Sequence, residues 1–269
     1  MLDTLDGLDT LEVVRRRRFA ARWGVGAVLV AVLGWLVYTV AVSPNLEWTV
    51  IGKYFLATPV MEGVGVTLVL TFTTLGVGLV LGAVLALMRQ SRNPVAVAAA
   101  AGYIWFFRGV PLVVQIVFWF NLALLFPTLG FAPTNEVITP FLAAMLGLGL
   151  HEAAYLAEII RGGFLAVPRG QVDAALTIGM TRAAATRAIV LPQSIRVILP
   201  ALGNQFILIL KGTSLVSVIG GGDLMTRAQQ IYGQNYQVIA LLLVATGWYL
   251  ILVTVAGVGQ RFLERWAAR

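Results

Sequence analysis

Residues 173–192 read DAALTIGMTRAAATRAIVLP, a polar stretch set between long apolar ones. Ala174, Ala175, Ala183, Ala184 and Ala185 favour helix. Gly179 supplies the positive φ that ends one helix and opens the next. Pro192 bars helix continuation from the preceding turn. The segment is therefore expected to form two short helices meeting at Gly179, a compact knob beside a membrane. Its surroundings support that setting: of 269 residues, 59% are hydrophobic and 12% charged, with a mean hydropathy of +0.89. Such a balance belongs to an all-α polytopic membrane protein.

Composition excludes several chemistries. The chain has no cysteine, which removes disulfides, thiolate zinc and thiol catalysis, and its single histidine makes a histidine metal cluster implausible. Lys211-Gly212-Thr213-Ser214 lacks the glycine loop of a nucleotide-binding P-loop, so ATP chemistry is not expected in this chain. The net charge of +7 invites a nucleic-acid reading, but the placement of the charges argues against it.

A span needs ~20 apolar residues to cross ~30 Å of hydrocarbon. Six stretches qualify, at about 24–43, 60–88, 97–127, 137–162, 194–219 and 237–260. With the N-terminus in the cytoplasm, Arg15–Arg18, Arg22, Arg89, Arg92, Arg161, Arg169, Arg182, Arg187, Arg196, Arg261, Arg265 and Arg269 fall inside. Lys53 and Arg227 fall outside. The asymmetry follows the positive-inside rule and places both termini and the 163–193 loop in the cytoplasm. It also accounts for the net charge through topology and attraction to anionic lipid. The third stretch would run ~46 Å as one helix, too long for a ~30 Å core. Arg108-Gly109-Val110-Pro111 is the expected break, with 94–107 along the inner surface, Tyr103, Trp105 and Phe106 at the interface, and about 111–127 crossing. The apolar run after residue 22 is long for a signal peptide and is read as a retained helix.

Asp173-Ala174-Ala175, Gly179, Ile189, Leu191 and Pro192 stand at the spacing of the E-A-A-x3-G-x9-I-x-L-P loop, with Asp173 in the glutamate position. The chain thereby resembles the membrane subunits of ABC importers. Phe107-Arg108-Gly109-Val110-Pro111-Leu112-Val113-Val114-Gln115 and Ala154-Tyr155-Leu156-Ala157-Glu158-Ile159-Ile160-Arg161-Gly162-Gly163 resemble signatures of their polar amino acid branch. Gly170-Gln171, Leu191-Pro192-Gln193, Leu202-Gly203-Asn204 and Lys211–Ile219 follow in the same order. Gly212 departs from the acidic or amidic residue usual in relatives.

The resemblance implies a five-helix permease core over 60–265 with a cytoplasmic coupling loop at 165–192. Residues 23–59 would be an extra N-terminal transmembrane helix with an external loop, and 1–22 a cytoplasmic arm. It implies two permease chains, identical or homologous, and a cytoplasmic ATPase dimer carrying ATP and Mg. An extracytoplasmic binding protein would deliver an amino acid across the bacterial plasma membrane. The chain itself would catalyse no covalent reaction and hold no cofactor.

At ~1.5 Å per residue, Glu152, Asn204 and Gln115 all lie ~12–13 Å from the cytoplasmic boundary. Polar groups at such depth need a partner or a cavity, and transport sites lie near it. Gln115, His151, Glu152 and Asn204 are therefore candidate pathway residues, the carboxylate for an ammonium group and the amides for a carboxylate. The alternative is that they tie helices together by hydrogen bonds. Lys211, deeper along the same helix, is a further pathway candidate that could meet a carboxylate entering from outside; the favoured alternative is a structural or gating role, snorkelling or pairing with an acid of a second permease chain, and Ser214 is either a pathway hydroxyl or a packing one. Arg108 and Glu158 are expected to form an ion pair pinning two helices, with Glu158–Arg161 at i,i+3 as the competing pair. Gly63, Gly65, Gly76, Gly78 and Gly82 are expected to allow close helix contact. A proton-coupled secondary transporter using Glu152 or Glu158, and a scaffold with a dead pathway, are the competing functions; the coupling loop argues against the first.

Overall fold

A computed structural model describes residues 5–44 and 46–267, with side chains from Trp23 onward. The side chains of the 1–22 arm, and Arg269 among the inside charges, lie outside the described residues. The elements run α1 (Leu5–Ala41), α2 (Trp48–Phe55), α3 (Thr58–Arg89), α4 (Pro94–Gly109), α5 (Leu112–Phe120), β1 (Thr128–Leu129), β2 (Ala132–Pro133), α6 (Thr134–Val137), α7 (Pro140–Leu165), α8 (Arg169–Thr177), α9 (Arg182–Ala185), α10 (Leu191–Gly212), α11 (Leu224–Asn235) and α12 (Val238–Ala267). Among the described residues the only strands are the two-residue pair β1 and β2, an antiparallel hairpin.

The chain divides into two units, Met1–Thr49 and Val50–Arg269. The first carries one helix apolar enough to cross a membrane, Trp23–Ala41. Four further helices in the second unit are long and apolar enough: Thr58–Arg89, Pro140–Leu165, Arg182–Ile219 and Val238–Ala267. The bent pair Pro94–Gly109 and Leu112–Phe120 makes a sixth candidate.

In the second unit α7 is the central helix, with 61% of its apolar window buried. It begins at Pro140, whose missing N–H costs nothing in a first turn, behind Thr139, whose side chain accepts from Leu142 N. Its small residues let neighbours approach. Gly147 takes the α5 backbone, where an added Cβ would meet Ile116 Cα at 3.0 Å. From α3, Gly78 and Gly82 press on Leu156, Ala153 and Ala157. Gly63 closes on α11, at Leu224 Cα. Gly65 and Gly76 have nothing within 4 Å of an added Cβ and serve no close contact within the chain. Around this frame, Leu70, Ile116, Leu148 and Val216 form one buried cluster, Val60, Leu224, Leu241 and Val244 a second, and Leu85, Ile104 and Ala153 a third.

The expected break in the third stretch falls where the sequence puts it. The axes of α4 and α5 differ by 98°. Val110, in extended conformation, ends α4, and Pro111 opens α5. The crossing part is shorter than about 111–127: α5 stops at Phe120 and a 3-10 turn, Leu122–Leu124, leads to the hairpin. Trp105 and Phe106 are exposed as expected of interface residues. Tyr103 is not such an anchor; it is half-buried, and its hydroxyl donates to Leu150 O of α7 at 2.9 Å.

The polar knob forms as read, with α8 and α9 meeting at Gly179, whose φ is +88°. Pro192, however, does not stop the helix. Thr186–Val190 widens into a π turn and the chain runs on into α10. A proline ring clashes with the carbonyl four residues back, and the wider turn relieves that clash.

Candidate functional site: polar groups at one depth and the coupling segment

The candidate pathway residues separate into two groups. Gln115, buried on α5, sends its amide back across the α4–α5 bend. Its Nε2 donates to Val110 O at 2.9 Å and Phe107 O at 3.0 Å, and lies 3.1 Å from His151 Nδ1 on α7. The amide thus takes up carbonyls that the broken helix leaves without partners. His151 also lies against Tyr155, ring centres 5.0 Å apart. The next residue along α7, Glu152, points ~100° round the helix from His151; it is 6% exposed and accepts from Gln205 Nε2 at 2.6 Å, tying α7 to α10. Gln205 was absent from the sequence-based candidates; Asn204 stood in its place. Adjacent helix positions lie ~100° apart, and the register puts Gln205 on the α7 side and Asn204 on the exposed face.

Asn204 and Lys211, seven residues apart, lie together on that exposed face of α10. Ser214, half-buried in the 3-10 helix Thr213–Ile219 that follows α10, donates its hydroxyl to Lys211 O at 2.8 Å, a local bond one turn back. The structure therefore makes two separate pairs, Gln115 with His151 between α5 and α7 and Glu152 with Gln205 between α7 and α10, and leaves Asn204 and Lys211 outside both.

The expected Arg108–Glu158 ion pair does not form. Glu158 accepts from Arg161 Nη2 at 2.6 Å and from Nε at 3.0 Å. Arg108 instead stands over the Tyr155 ring, 5.0 Å from its centre. Glu158 and Arg161 share a helix face one turn apart, so their pairing costs little ordering, while Arg108 at the bend finds an aromatic face first.

In the coupling segment Ala175 and Ala185 are buried and weld α8 to α9. Asp173 and Ala174 are exposed, as are Leu191 and Pro192, and Ile189 is half-buried. Two features here were not among the sequence-based candidates. Gln193 donates to Gln171 Oε1 at 2.6 Å and to Ile189 O at 3.0 Å, a strut from α10 to α8. Ile178, next to the Gly179 turn, is 80% exposed, an apolar tip on a polar knob. The isoleucine beside the Gly179 turn was the available signal for the second; the first needed the fold.

Comparison with known proteins fits this geometry. The chain belongs to the family of binding-protein-dependent transport system inner membrane components, which matches residues 78–269. It is 40% identical over 254 residues to the arginine transport system permease protein ArgU of Corynebacterium glutamicum, covering 92% of this chain and 80% of the relative. To the glutamine transport system permease protein GlnP of Escherichia coli it is 34% identical over 223 residues, covering 82% and 97%. Among solved structures it is similar to an amino acid ABC transporter crystallised with histidines, with TM-score 0.74, 35% identity, and coverage of 82% of this chain and 98% of that one. The chain is a permease subunit of an ABC importer for amino acids, a multi-pass inner-membrane protein and not an enzyme. An ATPase on a separate subunit and a binding protein are its partners.

Proposed function

We propose that this permease carries a cationic amino acid of the arginine type. The observation that carries this reading is Glu152: a buried carboxylate on the central helix that accepts one amide hydrogen bond and has no ion-pair partner among the described residues. An uncompensated acid at that depth is costly unless a cation visits it. The arginine permease ArgU, similar over nearly the whole chain, supports the same cargo. Asn204 and Lys211, on the exposed α10 face, line the route with His151. Gln115 flanks that route while holding the helices that form it, and Ser214 flanks it one turn beyond Lys211.

Two permease chains, identical or homologous, enclose this route. Both termini and the 165–192 loop lie in the cytoplasm, residues 60–265 make up the transport core, and residues 23–59 add one helix and an external loop to it in sequence. An ATPase dimer that holds ATP and Mg receives the knob formed by Asp173, Ala174, Ala175 and Gly179. Ile189, Leu191 and Pro192 pass its movement into α10, and the helices rock to alternate access.

The test is ATP-dependent uptake into liposomes by the importer reconstituted with its ATPase and binding protein. Arginine uptake is expected, competed by lysine and not by glutamate, and Glu152→Gln is expected to lower it about tenfold, the effect of losing ~1.4 kcal/mol. Unchanged uptake by Glu152→Gln, or competition by glutamate alone, overturns the cargo assignment.

A further inference from the structure

Between the membrane ends of α3 and α7 and the coupling segment lies a groove of about 510 Å³, within the ~300–1,000 Å³ range of ligand sites. Its lining has two chemistries. Leu87, Phe164 and Leu165 make an apolar side; Arg169 and Arg182 make a cationic one, with Asp173 the one acid among the lining residues. Arg169, Arg182 and Asp173 are exposed, and none of them makes an ion pair among the described residues. The groove thus keeps a net positive charge and two guanidiniums with open hydrogen-bonding forks.

The apolar side does not end at the groove. Val80, Val84 and Leu87 are 67%, 50% and 63% exposed and follow one another on one face of α3. This stripe runs down a membrane-spanning helix and opens into the groove two residues before the helix ends at Arg89. A soluble subunit cannot follow that stripe into hydrocarbon, whereas an acyl chain lies along it. The groove opens where span ends and lipid headgroups share a level. Guanidiniums match phosphate oxygens in bidentate fashion.

We propose that this groove binds an anionic phospholipid, with its phosphate on Arg169 and Arg182 and an acyl chain along Val80, Val84 and Leu87. A lipid seated there wedges between the spans and α8, so the stiffness of the knob that meets the ATPase depends on bilayer composition. Its leaflet follows from the orientation proposed above, but binding itself does not.

The full chain is placed in nanodiscs of phosphatidylcholine with a minor fraction of phosphatidylglycerol, and retained lipid is read by native mass spectrometry. The wild type is expected to retain phosphatidylglycerol selectively. Arg169→Gln with Arg182→Gln is expected to lower the retained phosphatidylglycerol-to-phosphatidylcholine ratio on the order of 25-fold, about fivefold per guanidinium. Val84→Asn with Leu87→Asn, which keeps both guanidiniums, is expected to lower it as well, so the test survives if the arginine variant misfolds. Arg196→Gln, outside the groove, is expected to leave the ratio unchanged. Equal retention by all variants overturns the proposal. So does displacement of the lipid by inorganic phosphate, which assigns the groove to a small anion, or loss of lipid only when a second permease chain dissociates, which assigns the stripe to that chain. Because retention is measured without ATPase or cargo, its failure is separate from failure of the transport reading.

Discussion

Gln115 illustrates how a polar residue at membrane depth serves the frame. Its amide holds the carbonyls of Phe107 and Val110 across a 98° bend and touches His151 on α7. Gln115→Leu keeps the volume but strands those acceptors, each worth ~1–3 kcal/mol when left unsatisfied. The expected outcome is a lower unfolding temperature in detergent, measured by intrinsic fluorescence. Gly147 makes a second prediction at this scale. An added Cβ there would meet Ile116 Cα at 3.0 Å and N at 3.2 Å, backbone that no rotamer change can move. Gly147→Val is expected to destabilise by ~1–3 kcal/mol through overpacking, while Gly65→Val, with open space around it, is expected to stay near wild type in the same measurement.

At the scale of elements, the coupling segment is one mechanical piece with α10. The π turn at Thr186–Val190 carries the helix past Pro192, and the Gln171–Gln193 hydrogen bond braces α8 against the start of α10. Gln193→Ala removes that brace and leaves the exposed tip at Ile178 and the Gly179 turn untouched. The expected outcome is an ATPase that still co-purifies with the permease while transport per ATP hydrolysed falls; loss of the ATPase from the pull-down would instead make Gln193 part of the docking surface. The knob, the six apolar stretches and the break at Gly109–Pro111 were all legible in the sequence, because alanine, glycine, proline and apolar run length act locally. The length of α5 was not: its end at Phe120 depends on the 3-10 turn and hairpin that follow, whose composition is as apolar as a span.

For the whole molecule, orientation is the property to test, and the absence of native cysteine makes single-cysteine labelling free of background. Ala184→Cys in the knob is expected to react with an impermeant maleimide only from the cytoplasmic side, and Phe131→Cys, at the fully exposed tip of the hairpin, only from the opposite side. The reverse pattern would overturn the positive-inside reading. Membrane residence, the number of apolar stretches, the coupling knob and the family were determined by the sequence alone, since hydropathy, charge placement and fixed motif spacing require no knowledge of neighbours. Only the tertiary structure decided which polar groups meet. Asn204 and Gln205 stand at almost the same depth, yet only Gln205 reaches Glu152, a residue 53 positions away on another helix. Glu158 pairs with Arg161 rather than Arg108, which the bend at Gly109 directs onto Tyr155. Depth along a helix is additive in sequence, whereas the ~100° turn between neighbours selects a face, and what that face meets is set by the packing of helices distant in the chain.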